Sequence, residues 1–311
     1  MYHIGIDIGG TTIKAGVVSK KGIIIHKVNA PTVRGDVDDL INSIVDLVDE
    51  LLSEMQLELK DIHKIGVGCP GIVNSESGTV RNADNIGLEY IPLKDHLERQ
   101  LCFPVTVNND ANCAAWGEYL ALSNGNINSL VMVTLGTGIG GGIILNKRLY
   151  TGCDGSAGEW GAMIMETDHS ETVPKMKYFW EKFASASALI KSAEEAAKTH
   201  TNSLLNVLLK RNGYKLDGKL FFQALEQKDE VAVAVFAEYI HRLGDGIINI
   251  IYILRPDVLV IGGGLSQANL LWKPLQRYLH ENSDCFLREN QTKVCKAILG
   301  NDAGIIGAAF L

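Results

Sequence analysis

The chain has 311 residues, of which 46% are hydrophobic and 21% charged, a balance typical of a soluble globular protein. Its net charge of −7 argues against a nucleic-acid partner, because phosphate contacts need clustered Lys and Arg. No apolar run approaches the roughly 20 residues of a membrane span.

The N-terminus enters a predicted strand at once, so we expect neither a signal peptide nor a membrane partner. Six cysteines occur without CxxC or CxC spacing. This pattern favours reduced, partly buried thiols over disulfides or a zinc site, and it predicts a cytoplasmic protein.

The first predicted strand, residues 2–8, leads into the segment Asp7–Lys14, and a second strand follows at 13–18. Two glycines, Gly9 and Gly10, let the backbone approach a ligand and aim N–H groups at anionic oxygens. Thr11 and Thr12 add hydroxyl donors, and Asp7 can orient a hydrated Mg²⁺, the usual companion of nucleotide phosphates. The segment predicts a phosphate-binding turn, although taken alone it is equally compatible with an ordinary Gly-Gly hairpin turn.

The next predicted elements are strands at 23–28 and 63–68 and a helix at 37–55, which Asp36 can cap. A short apolar run at 105–107 ends in Asn108-Asn109-Asp110, and a helix is predicted at 111–122. A carboxylate at Asp110 can act as a general base, and the neighbouring amides can bind hydroxyls. The same residue types also cap helices, so both interpretations stay open on the local pattern.

Two more glycine clusters follow predicted strands. Gly136–Gly142 follows a strand at 130–135 and leads into one at 139–145, and Gly262–Gly264 follows a strand at 258–261. Three such turns suggest one ligand held by several loops. Two formal dinucleotide fingerprints, at 66–71 and 136–141, lack the helix that this site needs. A P-loop-like segment, 213–219, has Leu220 in place of the metal-binding hydroxyl, and we interpret it as coincidence.

Two glutamates stand in suggestive surroundings. Glu159 is flanked by Gly158 and Gly161, which indicates a shaped loop, and Glu181 lies among aromatic residues. A partly buried Glu181 needs hydrogen-bond donors, which either sugar hydroxyls or a basic neighbour can supply.

The order of the predicted elements indicates two α/β lobes with a cleft between them. The pattern is mainly helical from 177 to 254, and Pro256 should end the longest helix. A last helix at 303–311, rich in small residues, is expected to return to the first lobe. We therefore predict a smaller lobe of residues 1–111 plus 300–311 and a larger lobe of residues 112–299.

Together these segments resemble the ROK family (repressors, uncharacterised reading frames and sugar kinases) of the actin-like ATPase superfamily, over essentially the whole chain. The motifs that carry the resemblance are Asp7–Lys14, Gly66–Gly71, Asn109–Asn112, Gly136–Gly142, Gly155–Gly161 and Gly262–Leu265. It implies a two-lobed α/β fold of the actin-like (ribonuclease H-like) type, a homodimer, and ATP with Mg²⁺. The implied nucleotide-binding residues are Asp7, Gly9, Gly10, Thr11, Thr12, Lys14, Gly136, Thr137, Gly138, Gly262, Gly263 and Gly264.

The resemblance also implies that Asp110 is the catalytic base and that Gly71, Asn109, Asp110, Glu159 and Glu181 bind the sugar. The chain departs from the family in two respects. First, Ala162 replaces a histidine that contacts the sugar and, in many members, ligates zinc. Second, the segment 167–180, where the family has a cysteine-rich zinc loop, contains no cysteine. We therefore predict no zinc and no other protein-held metal site. We expect this segment to hold its shape by packing, with Tyr178, Phe179 and Trp180 as candidates.

The implied reaction is transfer of the γ-phosphoryl group of ATP to a hexose, with glucose and its 6-hydroxyl as the default acceptor. Closure of the two lobes would align donor and acceptor. Because Ala162 opens volume near the sugar, a substituted hexose such as a β-glucoside or an N-acylhexosamine is an alternative acceptor. Two alternatives of another class are a sugar-responsive repressor and a non-catalytic sugar sensor. The repressor needs a DNA-binding segment ahead of Asp7, where only six residues stand.

Overall fold

The computed structural model describes residues 1–123, 125–166, 175–284 and 291–311. The chain forms two compact units. The first unit comprises Met1–Met132, Gly141–Gly158 and Ala297–Leu311, and the second comprises Val133–Gly140 and Glu159–Lys296. The domain boundaries predicted from the sequence, after residue 111 and before residue 300, stay a prediction.

The strands are β1 Tyr2–Ile8, β2 Thr12–Val18, β3 Ile24–Pro31, β4 Ile62–Cys69, β5 Ile72–Asn74, β6 Thr79–Ala83, β7 Leu88–Ile91, β8 Val105–Asn109, β9 Leu130–Leu135, β10 Ile139–Leu145, β11 Arg148–Tyr150, β12 Val258–Gly262 and β13 Lys293–Lys296. The helices are α1 Val37–Glu54, α2 Leu93–Leu101, α3 Asp110–Leu122, α4 Glu181–Ala184, α5 Ala186–Thr199, α6 Leu204–Arg211, α7 Gly218–Glu226, α8 Glu230–Leu254, α9 Asn269–Asn282 and α10 Ala303–Phe310.

The first unit is built on a five-stranded sheet with the order β3-β2-β1-β4-β8. Strands β1, β2 and β3 are antiparallel neighbours, whereas β4 runs parallel to both β1 and β8. Alternate residues of β1, namely Ile4, Ile6 and Ile8, are fully buried in the core that α1 and α2 cover. Asp36 accepts a hydrogen bond from the Asp39 N–H and so caps α1, as predicted.

The opposite face of this sheet carries α10, which approaches the strands at main-chain distance. A Cβ atom at Gly5 of β1 or at Gly66 of β4 would overlap a carbonyl of α10, because nothing but backbone fits between them. The same holds at Gly117 of α3. The small residues of the last helix therefore serve close packing, and the helix belongs to the first unit.

A second sheet has the order β11-β10-β9-β12-β13, and a small antiparallel sheet has the order β5-β6-β7. In the second unit, β12 and β13 run parallel. The long helix α8 ends at Leu254 and is followed by Arg255 in the left-handed region, with φ 44°, directly before Pro256. This is the end that Pro256 predicts. Within the described residues, no helix has the length and apolar character needed to cross a membrane.

Candidate active site

The first glycine turn connects β1 to β2, and the two strands pair as far as Ile8 opposite Ile13. The Gly9 N–H donates to the Thr12 carbonyl across the turn, at 3.0 Å. A Cβ atom at Gly10 would meet nothing within 4 Å, so the outer face of the turn is open. The structure therefore confirms a strand–turn–strand unit with room for a ligand at Gly10.

Asp7 lies at the carboxyl end of β1, beside this turn. Burial raises the pKa of its carboxyl to about 6, the Lys14 ammonium lowers it, and the Asp110 carboxylate raises it further. The Lys14 Nζ is 3.9 Å from Asp7 Oδ2, and a side chain at Gly304 would collide with the same carboxylate. Burial makes the ionised form of this carboxyl unfavourable, and a cation bound beside it would stabilise that form. Asp7 is therefore a suitable group for binding a cation.

Asp110 is the first residue of α3, directly after β8. Its Oδ1 accepts a hydrogen bond from the Ala111 N–H at 2.8 Å. Burial raises the pKa of the Asp110 carboxyl, while hydrogen bonds from the Ala111 and Asp110 N–H groups and from Asn109 lower it. A carboxylate with a raised pKa is a stronger proton acceptor, which is the property a general base needs.

The cap of α3 is Asn109, not Asp110, so the alternative role that the sequence left open for Asp110 is wrong. Asn109 Oδ1 accepts from the Asn112 N–H at 3.0 Å, and Asn109 Nδ2 donates to the Gly71 carbonyl at 2.9 Å. Gly71 has φ +87° and no space for a side chain. Three predicted sugar-binding residues, Gly71, Asn109 and Asp110, are thus brought together. Asn109 has a structural role, and its role in binding the sugar stays a prediction.

Glu159 and Ala162 lie at the two ends of one short turn in the second unit. Trp160–Ala162 forms a single turn of 3₁₀ helix, in which the Ala162 N–H donates to the Glu159 carbonyl at 3.2 Å. Both Glu159 and Ala162 are exposed, whereas Trp160 is buried. The position where the family has a histidine is therefore on a surface with room for a larger side chain.

Glu181 is the first residue of α4, and glycines border its carboxylate. A Cβ atom at Gly138 would be 2.6 Å from Glu181 Oε2, and one at Gly161 would be 3.1 Å from the same oxygen. Lys182 Nζ is 2.8 Å from Glu181 Oε1. The basic neighbour that the sequence left as an alternative is thus Lys182, and Glu181, Gly138 and Gly161 lie together.

Trp180, directly before Glu181, fixes this part of the chain to α8. Its indole is fully buried, and its N–H donates to the Arg242 carbonyl at 2.8 Å. A Cβ atom at Gly246 of α8 would overlap the indole ring, so the glycine provides the notch that the ring fills. Trp180 therefore packs as predicted.

The chain on either side of residues 167–174 is joined by main-chain hydrogen bonds. The Met165 N–H donates to the Tyr178 carbonyl and the Trp180 N–H to the Met163 carbonyl, at 2.9 and 2.7 Å. Phe179 pairs with Ile164, and both Tyr178 and Phe179 are half-buried. The described residues contain no group of three or more His, Cys, Asp or Glu that could hold a metal. Because 167–174 lie outside the described residues, the absence of zinc stays a prediction.

A cavity of about 760 Å³ in the second unit brings together the second and third glycine turns. Gly136 and Gly264 line it, and the Ala186 N–H donates to the Gly136 carbonyl at 3.0 Å. Gly263 has φ +81° and packs directly on the main chain of Leu135. The walls are mainly apolar, with a few polar groups: Leu135, Ile190, Phe222, Leu265, Leu270, Asp217, Lys219, Gln267 and Asn269. A flat heteroaromatic base with polar edges fits such a lining.

Sequence reasoning missed several contributors to these sites. Gly218 and Lys219, the end of the segment set aside as a coincidental P-loop match, line the cavity as the start of α7. The segment follows the helix α6, so it is not a P-loop, as predicted. Thr32 and Arg34 contact the first glycine turn from the end of β3. No local motif marks these residues, because their contacts depend on strand pairing.

Comparison with known proteins identifies the family of this chain. The model of the ROK family matches residues 3–311. A glucokinase of Halalkalibacterium halodurans is 35% identical over 313 residues, covering 100% of this chain and 94% of that protein. An N-acetylmannosamine kinase of Vibrio vulnificus is 28% identical over 312 residues, covering 100% and 97%.

A crystal structure of a ROK family glucokinase from Streptomyces griseus, in complex with glucose and AMPPNP, has the same fold. It is 32% identical, the alignment covers 99% of this chain and 98% of that chain, and the TM-score is 0.81. The chain therefore belongs to the ROK family, and the predicted two-lobed actin-like α/β fold class is confirmed.

Proposed function

We propose that this protein transfers the γ-phosphoryl group of ATP to the 6-hydroxyl of a hexose, with glucose as the acceptor and Asp110 as the general base. The broader class, an ATP-dependent sugar kinase, rests on full-length relatives at 35% identity and on a ROK glucokinase structure. The acceptor, the hydroxyl and the base are the parts proposed here.

The single observation that carries the proposal is the half-buried Asp110 carboxylate at the start of α3, with Asn109 and Gly71 beside it. In the proposed step, a carboxylate oxygen of Asp110 accepts the proton of the hexose hydroxyl. The hydroxyl oxygen forms a bond to the γ-phosphorus, the bond to the bridging oxygen breaks, and ADP leaves. Burial raises the pKa of Asp110, which makes it a stronger acceptor for that proton.

The roles of the other site residues follow the family motifs. Gly71, Asn109, Glu159 and Glu181 bind sugar hydroxyls in this proposal. The turn at Gly9–Thr12, with Lys14, and the turns at Gly136–Gly138 and Gly262–Gly264 bind the nucleotide. The mainly apolar cavity that Gly136 and Gly264 line supports a base-binding role for the second and third turns.

Mg²⁺ fits the Asp7 carboxylate of the first unit. Mg²⁺ is usually held by one or two carboxylates together with substrate phosphates and waters. Burial raises the pKa of Asp7, and a bound cation would favour its ionised form. Asp7 would orient the hydrated ion, which would supply positive charge that neutralises the phosphate oxygens.

A second candidate acceptor is a substituted hexose, such as an N-acylhexosamine or a β-glucoside. Ala162 is small and exposed where the family has a histidine, which leaves volume for a substituent. The full-length similarity to an N-acetylmannosamine kinase supports the same candidate. The alternative of another class is a sugar sensor that binds both ligands without turnover.

An ADP-release assay with ATP, Mg²⁺ and a panel of hexoses separates these candidates. We expect release that depends on glucose; release that depends only on a substituted hexose would favour the second acceptor. Binding of nucleotide and sugar without release would favour the sensor. We also propose that the protein is a homodimer in the cytoplasm. Light scattering measures the oligomeric state.

The variant Asp110→Asn tests the base, because it keeps the shape and removes the proton acceptor. We expect turnover to fall by a factor of about 10² to 10⁴, while sugar binding measured by calorimetry stays detectable. A variant that retains most of its turnover would remove Asp110 from the mechanism.

A further inference from the structure

Three consecutive carbonyls of the first glycine turn accept hydrogen bonds from the segment that follows β3. Thr32 Oγ1 donates to the Gly9 carbonyl at 2.7 Å, and the Thr32 N–H donates to the Thr11 carbonyl at 3.0 Å. Between them, Arg34 donates to the Gly10 carbonyl through Nε, at 3.0 Å, and also through Nη2. The segment thus contacts every carbonyl from residue 9 to residue 11.

These contacts determine where the N–H groups of the turn point. In a trans peptide unit, the carbonyl and the following N–H point in opposite directions. With the carbonyls of Gly9, Gly10 and Thr11 directed at the 32–34 segment, the N–H groups of the next three residues face the other side of the turn. Successive N–H groups on one side form a concave anion site, and the open space at Gly10 lets a phosphate approach.

Arg34 adds a second effect. A cationic donor on the Gly10 carbonyl polarises that peptide unit, which makes the Thr11 N–H a stronger donor to an anion. The segment itself is anchored next to Arg34, because Gly35, at φ +74°, donates its N–H to the Ile86 carbonyl at 2.9 Å. The segment 32–34 is therefore held at both ends, by β3 and by this hydrogen bond.

The geometry points to Thr32 and Arg34 as positioning residues for the phosphate donor. They hold the turn with its N–H groups aimed at the phosphates and need no contact with the nucleotide themselves. This inference rests on the proposed function, in which the turn binds the phosphates of ATP.

The test compares Arg34→Ala and Thr32→Val with Arg99→Ala. Arg99 is a matched control because its Nε also donates to a main-chain carbonyl, that of Asp95, at 3.0 Å on an exposed surface of α2. Calorimetry measures the affinity for AMPPNP with Mg²⁺ and for adenosine, and steady-state kinetics gives KM for ATP and for the hexose.

We expect Arg34→Ala to weaken AMPPNP binding and raise KM for ATP by about 10-fold, and Thr32→Val by about 3-fold. Adenosine affinity and the hexose KM should stay within about 2-fold of wild type, as should every value for Arg99→Ala. General damage to the fold would weaken adenosine binding as well, and that result would overturn the inference.

Arg34→Lys separates the two-donor geometry from charge alone. Lysine is a point charge that cannot form the planar fork, so we expect its AMPPNP affinity to remain reduced. Full recovery of AMPPNP affinity in Arg34→Lys would overturn the inferred positioning role of Arg34. Failure of the proposed function is distinguishable, because a protein without hexose turnover still reports through AMPPNP binding. Equal AMPPNP affinity of wild type and Arg34→Ala would refute the inference and leave the proposed function intact.

Discussion

The missing side chain of Gly246 leaves space for the Trp180 ring, and we predict that this packing positions Glu181. In Gly246→Ala, the new methyl group would overlap the Cε2, Cζ2 and Nε1 atoms of Trp180, a fully buried side chain. Trp180 must therefore shift, and Glu181, the next residue, shifts with it. We expect a weaker interaction between Glu181 and the sugar.

The stability change is the sum of two opposing effects. Alanine favours a helix interior over glycine by about 1 kcal/mol, whereas overpacking a core costs about 1–3 kcal/mol. The net loss of unfolding free energy is therefore about 0–2 kcal/mol, small enough for the variant to fold. The displaced carboxylate should raise the hexose KM by about 10-fold, the size of one charge-assisted hydrogen bond, with KM for ATP unchanged.

Gly244→Ala is the matched control. Gly244 lies two residues earlier in α8, and a methyl group there would overlap Tyr278 of α9 in the same way. Both variants gain the same helix propensity and suffer a similar overlap, but Tyr278 is not adjacent to Glu181. Chemical unfolding and steady-state kinetics should therefore show similar stability losses and a raised hexose KM for Gly246→Ala alone.

Two results would refute this reasoning: an unchanged hexose KM in Gly246→Ala, or an equal rise in Gly244→Ala. A double variant gives a further check. Phenylalanine lacks the indole Nε1 atom that the Gly246→Ala methyl group would meet. Trp180→Phe combined with Gly246→Ala should thus lose less stability than the sum of the two single variants, a coupling expected only for residues in contact.

Two other predictions concern pH and the acceptor. The folded-state pKa of Asp7 is raised from 3.8 to about 6, so the folded protein binds more protons between these values, and stability falls as pH rises through that range. The free energy of unfolding of Asp7→Asn, relative to that of wild type, should therefore rise by up to about 3 kcal/mol between pH 4 and pH 7. Chemical unfolding at a series of pH values measures this, and a constant difference between the two proteins would contradict it. Ala162→His should raise kcat/KM for unsubstituted glucose relative to substituted hexoses. Unchanged relative kcat/KM values across the panel would count against the role of Ala162.

Much of the site follows from local sequence. Glycine turns directly after apolar runs predicted loops at 9–12, 136–138 and 262–264, because two glycines between β-type segments leave few other backbone solutions. The cap at Asp36 followed from a side chain that bonds a backbone group three residues away. Local pattern did not decide between the adjacent Asn109 and Asp110, because both residue types cap helices. The backbone entering α3 makes Asn109 the cap and leaves Asp110 in the first turn.

The sequence by itself determined the family, the fold class, the three glycine turns and the carboxylates to examine, since these depend on motifs, spacing and short-range backbone preferences. Only the tertiary structure decided what holds them. Trp180 meets the Arg242 carbonyl 62 residues away, and Arg34 meets the Gly10 carbonyl 24 residues away. Such contacts arise where packing brings distant segments together, and a single glycine or arginine in the sequence carries no mark of its partner.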